Sequence, residues 1–569
     1  MNQWPLKMSD ATSKAGLLDY NLNWHSDFDE CLEVRDVVVG QYCSVRVNDM
    51  GRNLKGKSFR EMFVGVCVPK SCTVEELRRF WNYTEEKFKI PVGPDFDEEL
   101  CLYKNTPMEV YEIDSWIFIL LGAIAALVVV NTLCDVCLSG SRGNPKICTM
   151  FSLYTNGKKL VSTSCTNDTL RCLHGVKVLS MMWIILSQVT VTKLSSININ
   201  AFDEWKNRLE NSVFFAGHYA LDTFFSLSGI LMVYTHLKYS QEGKPISLGF
   251  YTRRLLRLVP SLLATVLICL SVIKYLGEGP FCPRAVKLTA QNCKTTWWAT
   301  LFFVSNFVRF ENQCVQQAWY LSMDAQFCAT APLVLYGLKK NSTKTFRVLF
   351  STCLASTVYT FITTTVTDIG FVPFWDLDGS QLFYVYFSPL SRAPSWLIGV
   401  FFGYLLHQYN SKKLVIPARS RTVSWGVSLH VMLGLILYHH IFVKYGHNVL
   451  RSAIFNSFSR LFWSLAVCSI IFNCTTGHGG MINRFLSQPV FTVGAKLTYS
   501  MYLTHEAVIQ FFTQDQRQSG YFSNLQIFVE FCGYFAAVVM SSVVLYLVFE
   551  APAVALMKNL QNVKKTKKY

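Results

Sequence analysis

Long apolar stretches recur along most of this chain and are separated by short polar loops. The first, SWIFILLGAIAALVVVNTLC at about residues 115–134, is long enough to cross the roughly 30 Å hydrocarbon core of a bilayer as a helix. The region before it, residues 1 to about 112, is polar and mixed in composition. The pattern predicts an all-α polytopic membrane protein with a polar N-terminal domain. Further apolar segments lie near residues 175–194, 213–237, 255–275, 297–309, 319–337, 346–366, 393–408, 424–444, 460–474, 490–512 and 527–549.

The segment WWATLFFVSNFV, near residues 297–309, is too short to cross a bilayer as a helix. An odd number of crossings is needed if the N-terminal domain is extracytoplasmic and the basic C-terminus is cytosolic. We therefore predict about 11 transmembrane helices and one re-entrant segment, in the plasma membrane or an endomembrane. The predicted divisions are an extracytoplasmic Cys-rich domain at 1–112, a first transmembrane helix at 113–135, a cytosolic linker at 136–170, a main transmembrane domain at 171–552 and a basic cytosolic tail at 553–569.

Composition supports a membrane location and argues against a nucleic-acid partner. The 569 residues are 51% hydrophobic and only 16% charged, which is too apolar for a soluble enzyme of this length. The net charge is +16, but the basic residues cluster in short loops, as they do in the cytosolic loops of membrane proteins. The sequence carries no zinc-ligand spacing, phosphate-binding loop or dinucleotide fingerprint, so we expect no metal and no bound cofactor.

The cysteines of the N-terminal region predict disulfides in an oxidising compartment. The same region carries the glycosylation sequon Asn82-Tyr83-Thr84, which makes Asn82 a candidate acceptor. Five cysteines is an odd number and no apolar signal region precedes them, so we expect that the sequence lacks its true N-terminus, including one more cysteine. Cys282, Cys293 and Cys314 are predicted on the same side of the membrane, where they could pair. The N-terminal disulfide candidates are Cys31, Cys43, Cys67, Cys72 and Cys101.

Polar residues interrupt the two apolar helices predicted within 171–234, and ionisable groups at membrane depth mark a functional site by default. Lys177 and Gln188 are eleven positions apart, so they share one helix face about 16 Å apart along the axis. One face therefore holds a cation near one membrane surface and a hydrogen-bonding group near the other. His218 and Asp222 are one helical turn apart and could form a hydrogen-bonded pair at the depth of Gln188.

Further polar groups lie in later segments. His505 lies toward the extracytoplasmic end of its segment, and Asp324 lies in mid-helix, where it needs a counter-charge that Arg392 could supply. A basic cluster precedes Pro260 at the predicted cytosolic surface, where it could bind phosphate or simply anchor the helix. That cluster consists of Arg253, Arg254 and Arg257.

Five strings in order resemble the successive signatures of the acyltransferase-3 superfamily: HGVKVLSMMWIILSQ, DTFFSLSG, RRLLRLVP, WYLSMDAQF and YSMYLTHE. More narrowly they resemble its animal branch, the "nose resistant to fluoxetine" proteins, as does the Cys-rich string GVCVPKSC. The resemblance implies transfer of an acyl group, not an amino-acyl group, from acyl-coenzyme A to the hydroxyl of a small molecule or lipid. It also favours a Cys293–Cys314 disulfide and site roles for Asp222 and His505.

The chain departs from the family's pattern at one motif, an Arg followed after ten residues by a His. Lys177 and Gln188 occupy these two slots. A glutamine cannot take up a proton near neutral pH, and a lysine lacks the planar fork of an arginine. His218 is the leading substitute base, while His174 resembles a feature of the animal branch. The predicted catalytic positions are Gln188, Lys177, Asp222, His218 and His505, and the predicted substrate-binding positions are Arg253, Arg254, Arg257, Asp324 and Arg392.

Two function classes remain open at this point. The first is an O-acyltransferase, or a pseudoenzyme derived from one. The second is a non-catalytic membrane protein that moves lipids or small molecules through the same polar cavity. A serine nucleophile is not indicated, because no GxSxG elbow surrounds Ser226 or Ser228. Membrane lipids are the expected surroundings in either case.

Overall fold

The structure is a computed structural model in which long helices follow a small disulfide-bonded domain. It describes residues 23–24, 27–35, 38–47, 62–88, 94–96, 101–104, 112–138, 146–164, 170–193, 204–241, 249–277, 279–280, 282–370, 382–412, 417–446, 448–517 and 523–566.

The N-terminal domain is built on a five-stranded sheet with the order β1-β3-β2-β4, in which β5 also pairs with β2. Helix α2 begins with a capping box: the Thr73 backbone N–H donates to Glu76 at 2.8 Å, and the Glu76 N–H donates to the Thr73 hydroxyl at 3.3 Å. The first of these bonds holds the pKa of Glu76 below its usual value. The elements are β1 Asn23–Trp24, α1 Phe28–Glu33, β2 Gly40–Val47, β3 Met62–Pro69, α2 Val74–Phe88, β4 Pro94–Asp95 and β5 Cys101–Tyr103.

Two disulfides cross-link this domain and confirm its prediction as a disulfide-bonded region. Cys31 is bonded to Cys67, and Cys43 is bonded to Cys101, so α1 and β5 are tied to the central strands. The odd cysteine is Cys72, which is a free thiol just before α2. The predicted glycosylation site is exposed on α2, and its modification stays a prediction.

Seven helices in the described part of the chain are long and apolar enough to cross a membrane. Five more of the described helices have 20 or more residues but are not apolar enough over that length. The chain is therefore a polytopic helical membrane protein, and the exact number of crossings stays a prediction. The helices are α3 Glu112–Cys137, α4 Lys146–Phe151, α5 Leu153–Val161, α6 Cys172–Lys193, α7 Tyr219–Gln241, α8 Gly249–Leu270, α9 Cys282–Leu301, α10 Ala318–Lys340, α11 Ser342–Val366, α12 Pro389–Lys412, α13 Ala418–Tyr445, α14 Val449–Thr475, α15 Gly480–Leu486, α16 Pro489–Gln514, α17 Asn524–Leu545 and α18 Ala551–Thr566.

The bundle has two faces, which we name by what lies on them. The domain face holds the start of α3, which follows the N-terminal domain, and residue Arg517, which pairs with Asp29 of that domain. The tail face holds α4, α5 and α18, where the Asn559 amide contacts Met150. Lys496 of α16 ties this face together by donating to the Ser162 carbonyl at 2.6 Å. Helix α3 is apolar on all sides and largely exposed, as expected of a helix that contacts lipid.

The predicted re-entrant segment at 297–309 is not a separate helix. Its first residues form the last turn of α9, which begins much earlier, at Cys282. The chain then turns at Phe303, whose φ is 58°, and runs through two short turns to α10. A Cys293–Cys314 disulfide links α9 to this connection, as the family resemblance predicted. The segment therefore does not cross the bundle on its own.

Helices α7 and α12 run side by side in close backbone contact. Small residues allow it: a side-chain carbon added to Gly403 would lie 2.7 Å from the Ile230 carbonyl oxygen, and one added to Gly399 or Gly229 would meet backbone atoms as closely. Ser226 adds a hydrogen bond of 3.0 Å to the Ser395 carbonyl, which fits the expectation that this serine packs helices rather than reacts. The two helices thus place Asp222 and Arg392 at the same depth.

Candidate functional site

A cavity of about 300 Å³ opens between α6, α7, α10 and α16 in the half of the bundle nearest the domain face. Three of the residues predicted for catalysis line it: Gln188, His218 and His505. Aromatic side chains form much of the remaining wall, and no lysine or arginine is among the described lining residues. The other lining residues are Ile184, Ser187, Val191, Thr192, Gly217, Leu221, Phe310, Gln316, Gln317, Trp319, Tyr386, Phe387, Tyr502 and Glu506.

Gln188 is engaged with a carboxylate that the sequence reading did not single out. Its Nε2 donates to Glu506 Oε1 at 3.1 Å, and the Gln510 amide donates to the same oxygen at 2.7 Å. The Gln510 amide also lies 3.2 Å from Gln316 Oε1. A chain of amides therefore surrounds Glu506, and Gln188 acts there as a hydrogen-bond donor.

Both histidines of the cavity are fixed through Nδ1. The Nδ1 of His505 lies 2.8 Å from the Tyr502 carbonyl oxygen, and that of His218 lies 3.1 Å from the Phe215 carbonyl oxygen. A carbonyl oxygen only accepts hydrogen bonds, so Nδ1 carries the proton in each neutral ring and Nε2 holds the lone pair. His505 is only 3% exposed, and it lines the cavity. This tautomer is the one a general base needs.

The predicted pair between His218 and Asp222 is wrong. Asp222 is fully buried, and Arg392 Nη1 donates to its Oδ2 at 2.8 Å while the Ser395 hydroxyl donates to its Oδ1 at 2.9 Å. The partner thus comes from α12, the helix in close contact, and not from the next turn of α7. Asp222 does not line the cavity, although it lies directly behind its wall.

Asp222 and Arg392 instead support the wall that carries Tyr386 and Phe387. The Arg392 Nε donates to the Tyr386 carbonyl at 3.2 Å, and its guanidinium lies 4.5 Å from the centre of the Tyr386 ring. Arg460 of α14 donates to the Val385 carbonyl at 3.1 Å from the other side. Two buried arginines therefore fix the segment Leu382–Tyr386, and this is a positioning role.

Asp324 is also paired differently from the prediction. Arg254 of α8 forms its ion pair, and the Ser228 hydroxyl donates to Asp324 Oδ1 at 2.6 Å. Arg392 cannot serve Asp324, because it is committed to Asp222. The long side chain of Arg254 reaches inward from the tail-face half to Asp324. The two residues are far apart in sequence, so this pair could not be predicted from their spacing.

The basic cluster is accordingly not a group of free surface charges. Arg257 donates through Nε and Nη2 to the buried Glu550, at 2.9 and 2.8 Å, and Arg254 is held by Asp324. The Arg253 side chain lies outside the described residues. Lys177 lies in the electrostatic field of both arginines, and no carboxylate partner is found for it among the described residues. The tail-face half therefore places two paired arginines near Lys177.

Lys177 does not line the cavity, and neither does His174, whose Nδ1 lies 3.3 Å from the Thr492 hydroxyl. The prediction that Lys177 and Gln188 mark opposite ends of one helix agrees with this arrangement. Sequence reasoning missed Glu506, Glu550 and Arg460, although each is an ionisable residue inside an apolar segment. Glu506 directly follows His505, and the family resemblance implies a site role only for the histidine. Within the described residues no three histidine, cysteine or acidic side chains are close enough to hold a metal ion.

A family model matches about two thirds of the chain, including most of its helices. Residues 170–547 match the model of the acyltransferase-3 family, described as an acyltransferase domain, and the chain is a member of that family. Residues 1–81 match the N-terminal domain of the nose resistant-to-fluoxetine proteins. No solved structure was found to match the chain.

The similar proteins of known name agree with this assignment. Nose resistant to fluoxetine protein 6 of Caenorhabditis elegans is 24% identical over 658 aligned residues, covering 99% of this chain and 79% of its own length. Regulator of hypoxia-inducible factor 1, also of C. elegans, is 24% identical over 68% of this chain and 78% of its own length. A Staphylococcus aureus protein named "Putative O-acetyltransferase SACOL0978" is 23% identical over 52% of this chain and 46% of its own length.

Proposed function

We propose that this protein transfers an acyl group from acyl-coenzyme A to the hydroxyl of an acceptor bound in the cavity. The observation that carries the proposal is the state of His505, which lines the cavity and whose Nδ1–H is held by the Tyr502 carbonyl, so that Nε2 keeps its lone pair. General bases contribute about 10²–10⁴ to the rates of enzymes that use them. We assign to His505 the role of base that Gln188 cannot fill. His218, the leading candidate from the sequence, has the same tautomer, but its ring packs against Tyr219 and His439.

The reaction assigns a role to each group. His505 Nε2 takes the proton from the acceptor hydroxyl, the hydroxyl oxygen attacks the thioester carbonyl carbon, and the carbon–sulfur bond breaks. The thiolate leaves and receives the proton from His505. Gln188 keeps one amide N–H beyond the one that it donates to Glu506, and this N–H stabilises the oxyanion.

The donor is proposed to enter from the tail face, which we assign to the cytosol. Lys177 supplies the positive charge there that suits the phosphates of coenzyme A, because the charges of the nearby Arg254 and Arg257 are matched by Asp324 and Glu550. Lys177 and Gln188 are about 16 Å apart along α6, so an extended donor with its phosphates at the first would bring its thioester toward the second. Asp222 and Arg392 keep their positioning role throughout.

The test measures free thiol released from acetyl-coenzyme A by the purified full-length protein in lipid nanodiscs, with water or an added alcohol as acceptor. We expect activity in the wild type and a loss of about 10²-fold or more in His505→Gln. The matched control is His430→Gln, an exposed histidine of α13, which should keep wild-type activity. Equal activity in all three proteins would contradict a role for His505.

A second candidate function is non-catalytic transport of a lipid or small molecule, and the engagement of Gln188 with Glu506 favours it. A family slot for a base is here occupied by an amide that cannot accept a proton. Release of thiol only after Gln188→His would indicate a lapsed enzyme. Uptake of a labelled ligand without any thiol release would favour the transport function.

A further inference from the structure

Glu506 is the only acidic side chain among the described residues that line the cavity. Its carboxylate accepts hydrogen bonds from the amides of Gln188 and Gln510, which carry no charge. Within the described part of the chain, no lysine or arginine forms an ion pair with it. A carboxylate withdrawn from bulk water is costly to keep charged without a cation nearby.

A second glutamate in this half of the bundle, Glu530, does have a cationic partner. Lys193 Nζ lies 2.5 Å from Glu530 Oε1, and the Gln526 amide donates to the same oxygen at 2.9 Å. Glu506 has the amide donors of such an arrangement but lacks its lysine. The missing cation would have to occupy the cavity, because that is where the carboxylate is open.

The cavity wall suits a cation. Phe387 and Tyr502 line it, and the electron-rich faces of aromatic rings attract ammonium groups. Trp319 and Tyr386 also line it, but the Arg392 guanidinium already lies 5.7 and 4.5 Å from the centres of their rings. Arg392 and Arg460 lie behind this wall and do not line the cavity. A carboxylate combined with aromatic rings in a cavity of about 300 Å³ is a recognition site for a small amine.

We infer that the cavity binds a compact organic amine, whose ammonium group pairs with Glu506 while its carbon skeleton contacts the aromatic wall. The inference rests on the proposed function only in taking the cavity as the acceptor site. It names the class of that acceptor, an alcohol that also carries an ammonium group. Glu506 holds the charge, and the hydroxyl lies toward His505, the preceding residue of α16.

The experiment compares two isosteric probes, 2-phenylethylamine and the uncharged 2-phenylethanol. Their binding to the purified full-length protein in nanodiscs is measured by titration calorimetry, with no thioester present. We expect the wild type to bind the amine at least tenfold more tightly than the alcohol. Glu506→Gln should reduce the affinity for the amine at least tenfold and leave that for the alcohol unchanged.

The matched control is Glu311→Gln, which removes one exposed negative charge beside the cavity-lining Phe310. It should leave both affinities unchanged, because screened surface charge contributes little. Equal affinities of the wild type for the two probes would overturn the inference, as would amine binding that survives Glu506→Gln or binding of neither probe. The wild-type comparison decides the matter even if the variant does not fold.

The outcomes also separate this inference from the proposed function. Glu506-dependent amine binding without any thiol release would support the amine site and refute acyl transfer. Thiol release with neutral alcohols as acceptors, and no preference for the amine, would support acyl transfer and refute the amine site.

Discussion

Gln188 donates a hydrogen bond to Glu506 across the contact between α6 and α16, with 3.1 Å between Nε2 and Oε1. Two helices more than 300 residues apart in sequence are thereby joined at the cavity. Gln188, which occupies the slot of the family's histidine, thus holds the carboxylate of Glu506. This hydrogen bond should therefore stabilise the folded protein, whether or not the protein is an enzyme.

Removing this donor should destabilise the bundle measurably. Gln188→Ala leaves Glu506 with the Gln510 amide only, and losing a hydrogen bond to a buried polar group costs about 1–3 kcal/mol. Thermal unfolding of the purified protein checks this. Gln291→Ala, at an exposed position of α9, serves as the control and should unfold with the wild type. An unchanged midpoint for Gln188→Ala would show that the bond is not important for stability.

The Asp222–Arg392 pair should be far more important for stability than the ion pair at the domain face. Both members of the first pair are fully buried, whereas Arg517 and Asp29 are 39% and 53% exposed. We expect Arg392→Met to cost about 3–5 kcal/mol, because it leaves a buried charge unmatched. Arg517→Met should cost no more than about 1 kcal/mol.

The double variant Asp222→Leu/Arg392→Met separates the cost of an unmatched buried charge from the cost of altered packing. It should recover most of the stability lost in Arg392→Met, since no unmatched carboxylate remains. Chemical unfolding in detergent compares the three proteins. Similar losses in the single and the double variant would mean that packing rather than charge sets the cost.

Gly399→Ala should disrupt the contact between α7 and α12. The added methyl group meets the Ser226 backbone, which cannot move aside as a flexible side chain could. Overpacking of this kind costs about 1–3 kcal/mol. Gly434→Ala in α13 is the matched control, because nothing lies within 4 Å of its added carbon, and it should be neutral or slightly stabilising. Equal midpoints in thermal unfolding for the two variants would contradict the close contact.

Two free thiols, one in the N-terminal domain and one at the end of α3, test the proposed orientation. Cys72 lies in the N-terminal domain, and Cys137 is exposed at the last residue of α3. A membrane-impermeant maleimide should label Cys72 in sealed vesicles or intact cells and Cys137 only after permeabilisation. Cys72→Ser and Cys137→Ser identify the two signals. Labelling in the reverse order would place the tail face outside the cytosol.

The helical bundle could be predicted from the sequence because long apolar segments identify membrane helices. The first helix was expected at 113–135 and is observed at Glu112–Cys137. The cavity histidines and Gln188 were also found, because an ionisable or amide group in an apolar segment is conspicuous. The region 297–309 was expected as a short re-entrant segment that does not cross the membrane, and it forms the end of α9 and the turn after it. The start of α9 was not predicted, because periodicity does not record where a helix starts in polar sequence.

Pairing between helices could not be predicted in the same way. Helical periodicity gives the depth and face of a residue, but it does not say which helix lies opposite. Arg392 was assigned to Asp324 and in fact pairs with Asp222, whose helix it approaches because glycines permit it. Arg254 reaches Asp324 through the length of its side chain. Such partners are fixed by packing between segments 70 to 170 residues apart in sequence.

The glycine contact between α7 and α12 has a mechanical consequence. Since backbone meets backbone there, these helices have no side-chain layer that could shear, and they move as one body with Asp222 and Arg392 between them. We therefore expect any widening of the cavity around a ligand to occur at the opposite wall. That wall is formed by α6 and α16. The hydrogen bond from the Gln188 amide to Glu506 joins these two helices and would have to break if they separated.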